Sequence, residues 1–235
     1  MLNRDAQSQR SVSGSEFEKV VAKLLNSFTT ASGIVVVRAR ESDLSTLVDS
    51  KVNLKDIMDF TKIPVKRRCD QTQLQDYPDL DLFALVKPIS KEREWKLLAI
   101  LSCKVSFHAR HTESAFWGLL VRLTSRTPFV MITEDRDIYS PKSSELGVSC
   151  QNSTSTRRLL ESFTDRIYLV KRYGGVDDPR LGADIKLKRK MLAENNDRII
   201  FDDPTVKYHT KYCHSVRPID DLFHDLLRWR SDISQ

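Results

Sequence analysis

Apolar positions recur along this chain with two periods, one helical and one extended. Phe17, Val20, Val21, Leu24, Leu25 and Phe28 fall at helical spacing and predict a helix with one buried stripe. Ser15 and Glu18 have the spacing of a capping box, so the helix is expected to open at Ser13-Gly14-Ser15, after a loose lead over residues 1–12. A short strand follows at 34–37, and residues 42–62 fit one or two short helices. The stretch 62–77 is polar and reads as a loop. Two apolar strands come next, at 80–86 and 94–107, joined as a hairpin by residues 87–93. Thr112 is placed to cap a helix from Glu113, with Phe116, Leu119, Leu120 and Leu123 as its buried stripe. That helix should stop before Pro128. Beyond it the pattern predicts a buried strand at 129–133, loops over 134–155, a helix near 156–163 and a strand at 166–170. Then come a helix at 184–194, irregular chain over 195–218 and a last helix at 220–229. This order predicts an α/β fold: a mixed central sheet flanked by helices, with a core over 13–175 and a C-terminal extension over 176–235.

The chain has 235 residues, 40% of them apolar, enough for one sizeable core. Its 38 Lys and Arg against 32 Asp and Glu leave a formal charge of +6, compatible with a polyanionic partner. No apolar run approaches the roughly 18 residues of a membrane span, and the N-terminus is polar, without the apolar stretch of a signal peptide. No membrane partner is therefore expected. Cys69, Cys103, Cys150 and Cys213 show no paired spacing, which fits a reducing, cytoplasmic setting better than a disulfide scaffold.

The chemistry concentrates between residues 78 and 113. Pro78-Asp79-Leu80-Asp81 opens the first strand of the expected hairpin, and Ser102-Cys103-Lys104 closes the second. Strand alternation puts Asp79, Asp81 and Phe83 on one face of their strand. Ser102, Lys104 and Ser106 share one face of theirs, and antiparallel pairing sets the acids beside the lysine. Cys103 points the other way, into the core. Glu113 follows in the first turn of the next helix, on a face expected to pack against the sheet. A lysine at the end of an apolar strand is costly to bury without acids nearby. Carboxylates and a lysine gathered at one sheet end suit metal-assisted phosphodiester hydrolysis. Taken singly, each residue has a plainer reading: edge-strand charges for Asp79 and Asp81, a strand-end lysine, and a first-turn acid favoured by the helix dipole.

The passage resembles the PD-(D/E)xK nucleases, and most closely type II restriction endonucleases. Their core runs helix, hairpin, helix, strand, strand, and this sequence offers each piece in that order over about residues 13–172. The resemblance implies a restriction-endonuclease-like core and Mg2+-dependent cleavage of double-stranded DNA leaving a 5′-phosphate. It makes Asp79 or Asp81 the motif aspartate and Lys104 the motif lysine. Ser102 stands where the family usually has Asp or Glu. That departure is similar to a Ser-x-Lys subgroup, including cutters of CCGG-type sites, in which the missing acid comes from the following helix; here that would be Glu113. The implied metal ligands are Asp79 or Asp81, Glu113 and the backbone carbonyl of Cys103. Some relatives carry an accessory acid in the early helix, a place Glu18 could fill, although capping accounts for it too.

Candidate DNA contacts are Arg110 and His108 just after the lysine, the loop Lys66-Arg67-Arg68, and Lys188 within the basic run 186–190. The extension is expected to contact DNA or to support dimerisation. A palindromic target calls for two-fold symmetry, so a homodimer is expected, with a tetramer or a partner subunit as alternatives. The group His209, Cys213, His214 and Cys150 matches no strong zinc pattern.

Overall fold

The computed structural model describes residues 4–59, 63–66, 73–76, 80–88, 94–106, 111–135, 144–147, 149–202 and 213–233. The chain opens with α1 (Arg4–Thr29), a 3-10 turn and β1 (Ile34–Arg38), then two short helices, α2 (Glu41–Leu44) and α3 (Lys51–Asp59). A small hairpin, β2 (Ile63–Lys66) with β3 (Gln73–Asp76), leads to β4 (Leu82–Val86), β5 (Lys96–Lys104) and α4 (His111–Thr124). The second half runs β6 (Phe129–Thr133), α5 (Ser155–Phe163), β7 (Arg166–Leu169), α6 (Pro179–Ala193), β8 (Val216–Pro218) and α7 (Asp220–Ile233).

Six strands form one mixed sheet in the order β1-β4-β5-β6-β7-β8. β1, β4 and β5 pair antiparallel, while β5, β6, β7 and β8 run parallel, so the sheet changes direction at β5. Helices cover both faces, as the element order predicts. On one face Leu82, Leu101, Cys103, Val130, Ile132 and Tyr168 pack with α1, α6 and α7. On the other, Phe83, Leu85, Ile100 and Phe129 pack with residues of α2, α3 and α4. Met131, Ile167 and Leu169 meet Leu160 of α5. The register slips at Ala84/Leu85, which turns both Leu98 and Ala99 into the first core.

Several local expectations are corrected. α1 begins at Arg4, within the supposed loose lead, so Ser15 lies inside the helix and caps nothing. The polar turns before Phe17 have no apolar period to announce them. The stretch 62–77, read as a loop, contains the β2–β3 hairpin. α6 starts at Pro179, five residues earlier than the apolar pattern suggests. Asp178 caps it by accepting from Arg180 N, with proline in the first turn, where its missing N–H costs nothing. The irregular stretch before α7 contains β8, which is the last described strand of the sheet and ends in Pro218.

The buried side of α4 is rotated from expectation. Ser114, Ala115 and Val121 are buried, while Phe116 is 53% and Leu123 73% exposed. Small residues decide this phase. A Cβ at Gly118 would stand 2.3 Å from the Phe163 carbonyl oxygen, so α4 approaches the end of α5 more closely than any side chain allows.

Candidate active site

The register of the sheet gathers the site. Leu82 pairs with Leu101, which sets Asp81, one residue before β4, across from Ser102. One Asp81 oxygen, Oδ2, accepts from Cys103 N at 2.7 Å and from Ser102 Oγ at 3.2 Å. Lys104 Nζ donates to the same oxygen at 3.1 Å and lies 3.4 Å from Oδ1. Both charged side chains are buried, at 8% exposure for Asp81 and 6% for Lys104. A buried pair of this kind needs extra donors to offset desolvation, and Ser102 and the Cys103 N–H supply them. The Cys103 thiol itself turns into the core, as alternation predicts. Burial pushes that thiol well above the usual range, helped by the charges of Asp81 and Glu18.

Two further groups reach this end of the sheet. Glu18 of α1 is half-buried and comes from the opposite layer. Burial raises its pKa above the ordinary carboxylate value; the charge of Asp81 pushes the same way, and Arg40, Lys104 and Arg38 pull it back. Since α1 extends eleven residues before Ser15, capping no longer accounts for Glu18. Arg38 and Arg40 were missed. Ala39 N donates to the Asp81 carbonyl at 3.1 Å, so the chain leaving β1 runs beside the site. Arg38 pairs with Asp43 at 3.0 Å, and Arg40 is exposed. Their signal would have been a basic residue on either side of Ala39 after an apolar strand, legible only once β1 is known to pair with β4.

Glu113 occupies the first turn of α4 and is half-buried. Its neighbour Ser114 points at the strand end instead, with Oγ 3.5 Å from Ser102 Oγ. Glu113 makes no hydrogen bond or ion pair with Asp81 or Lys104 among the described residues. Lys188 corrects the sequence reading outright. It has no exposed surface and binds Asp197 at 2.7 Å, Asp220 at 2.9 Å and the Arg198 carbonyl at 2.8 Å, so it braces the fold and cannot touch a phosphate. Asp79, His108, Arg110, Arg67 and Arg68 lie outside the described residues, as does the side chain of Lys66.

Among the described residues no three Asp, Glu, His or Cys side chains converge tightly enough to hold an ion alone. That donor set still suits a small hard cation. Magnesium retains several waters and takes one or two carboxylates plus substrate phosphate, rather than an all-protein cage.

The sequence matches the profile of the BsaWI restriction endonuclease type 2 family over residues 53–191, more than half of the chain. The chain belongs to this family. The matched segment holds Asp81, Lys104 and Glu113, while Glu18 lies before it. Enzymes of this kind are generally dependent on a divalent metal. A protein of Methanocaldococcus jannaschii that carries the provisional name type II restriction enzyme MjaVIP is 26% identical over 178 residues. That alignment covers 72% of this chain and 70% of the relative. Among solved structures, the specific restriction endonuclease AgeI in complex with DNA aligns at 14% identity and a TM-score of 0.49 over 74% of this chain. The PspGI–substrate DNA complex aligns at 14% identity and a TM-score of 0.32 over 77%. The chain spans about three fifths of each of those structures, 61% and 60%. Among the described residues no helix is long and apolar enough to cross a membrane.

Proposed function

We propose that this chain is a site-specific endonuclease of double-stranded DNA that works with Mg2+ as a homodimer. The observation that carries the reading is the buried Asp81–Lys104 pair across the open end of the β4–β5 hairpin, within a restriction endonuclease family segment. Asp81, the Cys103 carbonyl and one of Glu18 and Glu113 would hold the ion. When bound, it supplies positive charge against the developing negative charge on the scissile phosphate.

The chain's own residues do the rest. The ammonium of Lys104 would orient the attacking water and stabilise the hydroxide left as the proton departs to solvent. Ser102 contributes no charge; its hydroxyl donates to Asp81 and keeps the carboxylate turned toward the lysine. Ser114 links this pair to α4, so the helix that follows the motif is positioned by the same network. In-line attack leaves a 5′-phosphate. Lys66, Arg67, Arg68, His108 and Arg110 remain the candidates for DNA contact.

Digestion of plasmid DNA with purified protein and Mg2+, followed by sequencing of the fragment ends, tests the proposal. Discrete fragments with one shared end sequence are expected. Scattered nicks at irregular structures would point to a repair nuclease, and binding without cutting to a subunit. Binding to nonspecific DNA, measured in Ca2+, should weaken with salt at a log–log slope of about −4 to −7, since each neutralised phosphate adds roughly 0.9. A flat response would remove DNA as the partner.

A further inference from the structure

A second polar cluster lies behind α5 and takes no part in the site above. Arg157 has no exposed surface, and its Nε donates to Glu161 Oε1 at 2.9 Å. One of its terminal nitrogens lies 3.2 Å from Cys150 Sγ and 3.1 Å from Cys213 Sγ. The two thiols therefore flank a single nitrogen. Ser215 Oγ completes the cluster, 3.2 Å from Cys213 Sγ and 2.8 Å from Glu161 Oε1.

The two sulfurs sit in unequal surroundings. Cys150 is exposed, whereas Cys213 is half-buried. Burial works to raise the Cys213 thiol, but hydrogen bonds from Ser215 and the Val216 backbone outweigh it and hold the group below the usual range. Burial and the neighbouring sulfur push Cys150 up. A buried guanidinium touching both sulfurs gives a thiolate a fixed counter-charge. Geometry and charge together describe an attacking sulfur beside a resolving one. Among the described residues no group of three His, Cys, Asp or Glu is arranged to hold a metal here.

We infer that Cys150 and Cys213 are a reversible dithiol–disulfide pair, oxidised by small disulfides of the glutathione class. The Cys213 thiolate attacks one sulfur of the small disulfide; that S–S bond breaks, and the departing thiolate takes a proton from water. Cys150 then loses its proton to solvent and attacks the Cys213 sulfur, expelling the second small thiol. Two protein thiols become one disulfide, and one small disulfide becomes two thiols.

The bridge would join the loop entering α5 to the segment entering β8. That loop is anchored at its other end by Asp135, which accepts from Leu146 N at 2.9 Å and Ser144 Oγ at 2.8 Å. Asp135 lies two residues past Thr133, the partner of Lys104 in the sheet. Closure therefore braces a loop that starts beside the proposed catalytic lysine.

The test is incubation of the full chain with oxidised glutathione, then digestion without reductant and mass spectrometry. Expected is one linked peptide pair through Cys150 and Cys213, lighter by two hydrogens, with Cys103 unmodified. The unfolding midpoint should rise by roughly 5–10 °C for a bridge closing a loop of this size. Neither Cys150→Ser nor Cys213→Ser should show that rise. Glutathione retained as a stable mixed disulfide, pairing of either residue with Cys69, or thiols that react only after denaturation would each overturn the assignment.

Discussion

Lys104 and Lys188 are both buried lysines facing aspartate, and their surroundings differ. Lys188 has two acids and a backbone carbonyl within 2.9 Å, and lies at 0% exposure among three segments of the chain. Among the described residues Lys104 has one directly bonded acid, at a longer 3.1 Å, and that acid is also held by a serine and a backbone N–H. The first lysine is saturated, and nothing remains for it to bind. The second has fewer partners among the described residues and stands at the end of a strand. Burial and ion pairing are common to both, so they do not by themselves mark a catalytic lysine.

The contrast is broken or sharpened by substitutions taken from largest effect to smallest. Lys188→Met should cost about 3 to 5 kcal/mol of stability, because it strands Asp220 in the interior. Below its lowered midpoint the variant should still cut DNA. Denaturant unfolding and cleavage measured on one preparation check both halves. Lys104→Ala should lose over a hundredfold in cleavage rate, about 3 kcal/mol or more of transition-state stabilisation, while binding DNA normally.

Glu18→Gln sharpens the same site. It keeps the shape and removes one negative charge near Asp81, so a loss of about tenfold in single-turnover rate is expected. An unchanged rate would leave Glu113 as the remaining acid. The smallest effect concerns pH. Lys188 holds the Asp197 pKa below the ordinary carboxylate value against the opposing pull of burial, and the hydrogen bonds of Lys188 raise its own pKa despite burial. A lowered acid contributes stability above its unfolded value near 4, lost as pH falls through the folded pKa; a raised lysine contributes below about 10.4, lost as pH climbs through its own. Asp197 is 52% exposed, so Asp197→Asn should flatten the acid limb of a stability–pH curve by less than about 1 kcal/mol.

The hairpin, the four central strands and the placing of an aspartate beside Lys104 were legible because two-residue alternation fixes the face of a strand residue, although alternation alone left Asp79 and Asp81 equivalent. The phase of α4 was not. Its leucines and Phe116 suggested the inward side, yet close approach to α5 at Gly118 gives that side to Ser114, Ala115 and Val121. Lys188 was misread from its company in a basic run. Helical spacing from Leu181 and Ile185 turns it inward, and only Asp197 and Asp220, distant in sequence, make the burial affordable. Glu18 was obscured by a capping pattern that loses its meaning once the helix starts at Arg4.

The short outer strand β8 bears on how copies of the molecule behave when crowded. It offers three residues along an edge that no other described strand covers, and the last, Pro218, has no N–H to donate. An incoming strand from another copy would meet a broken row of donors and find little to pair with. Pairing of copies into extended sheets is therefore disfavoured at this edge.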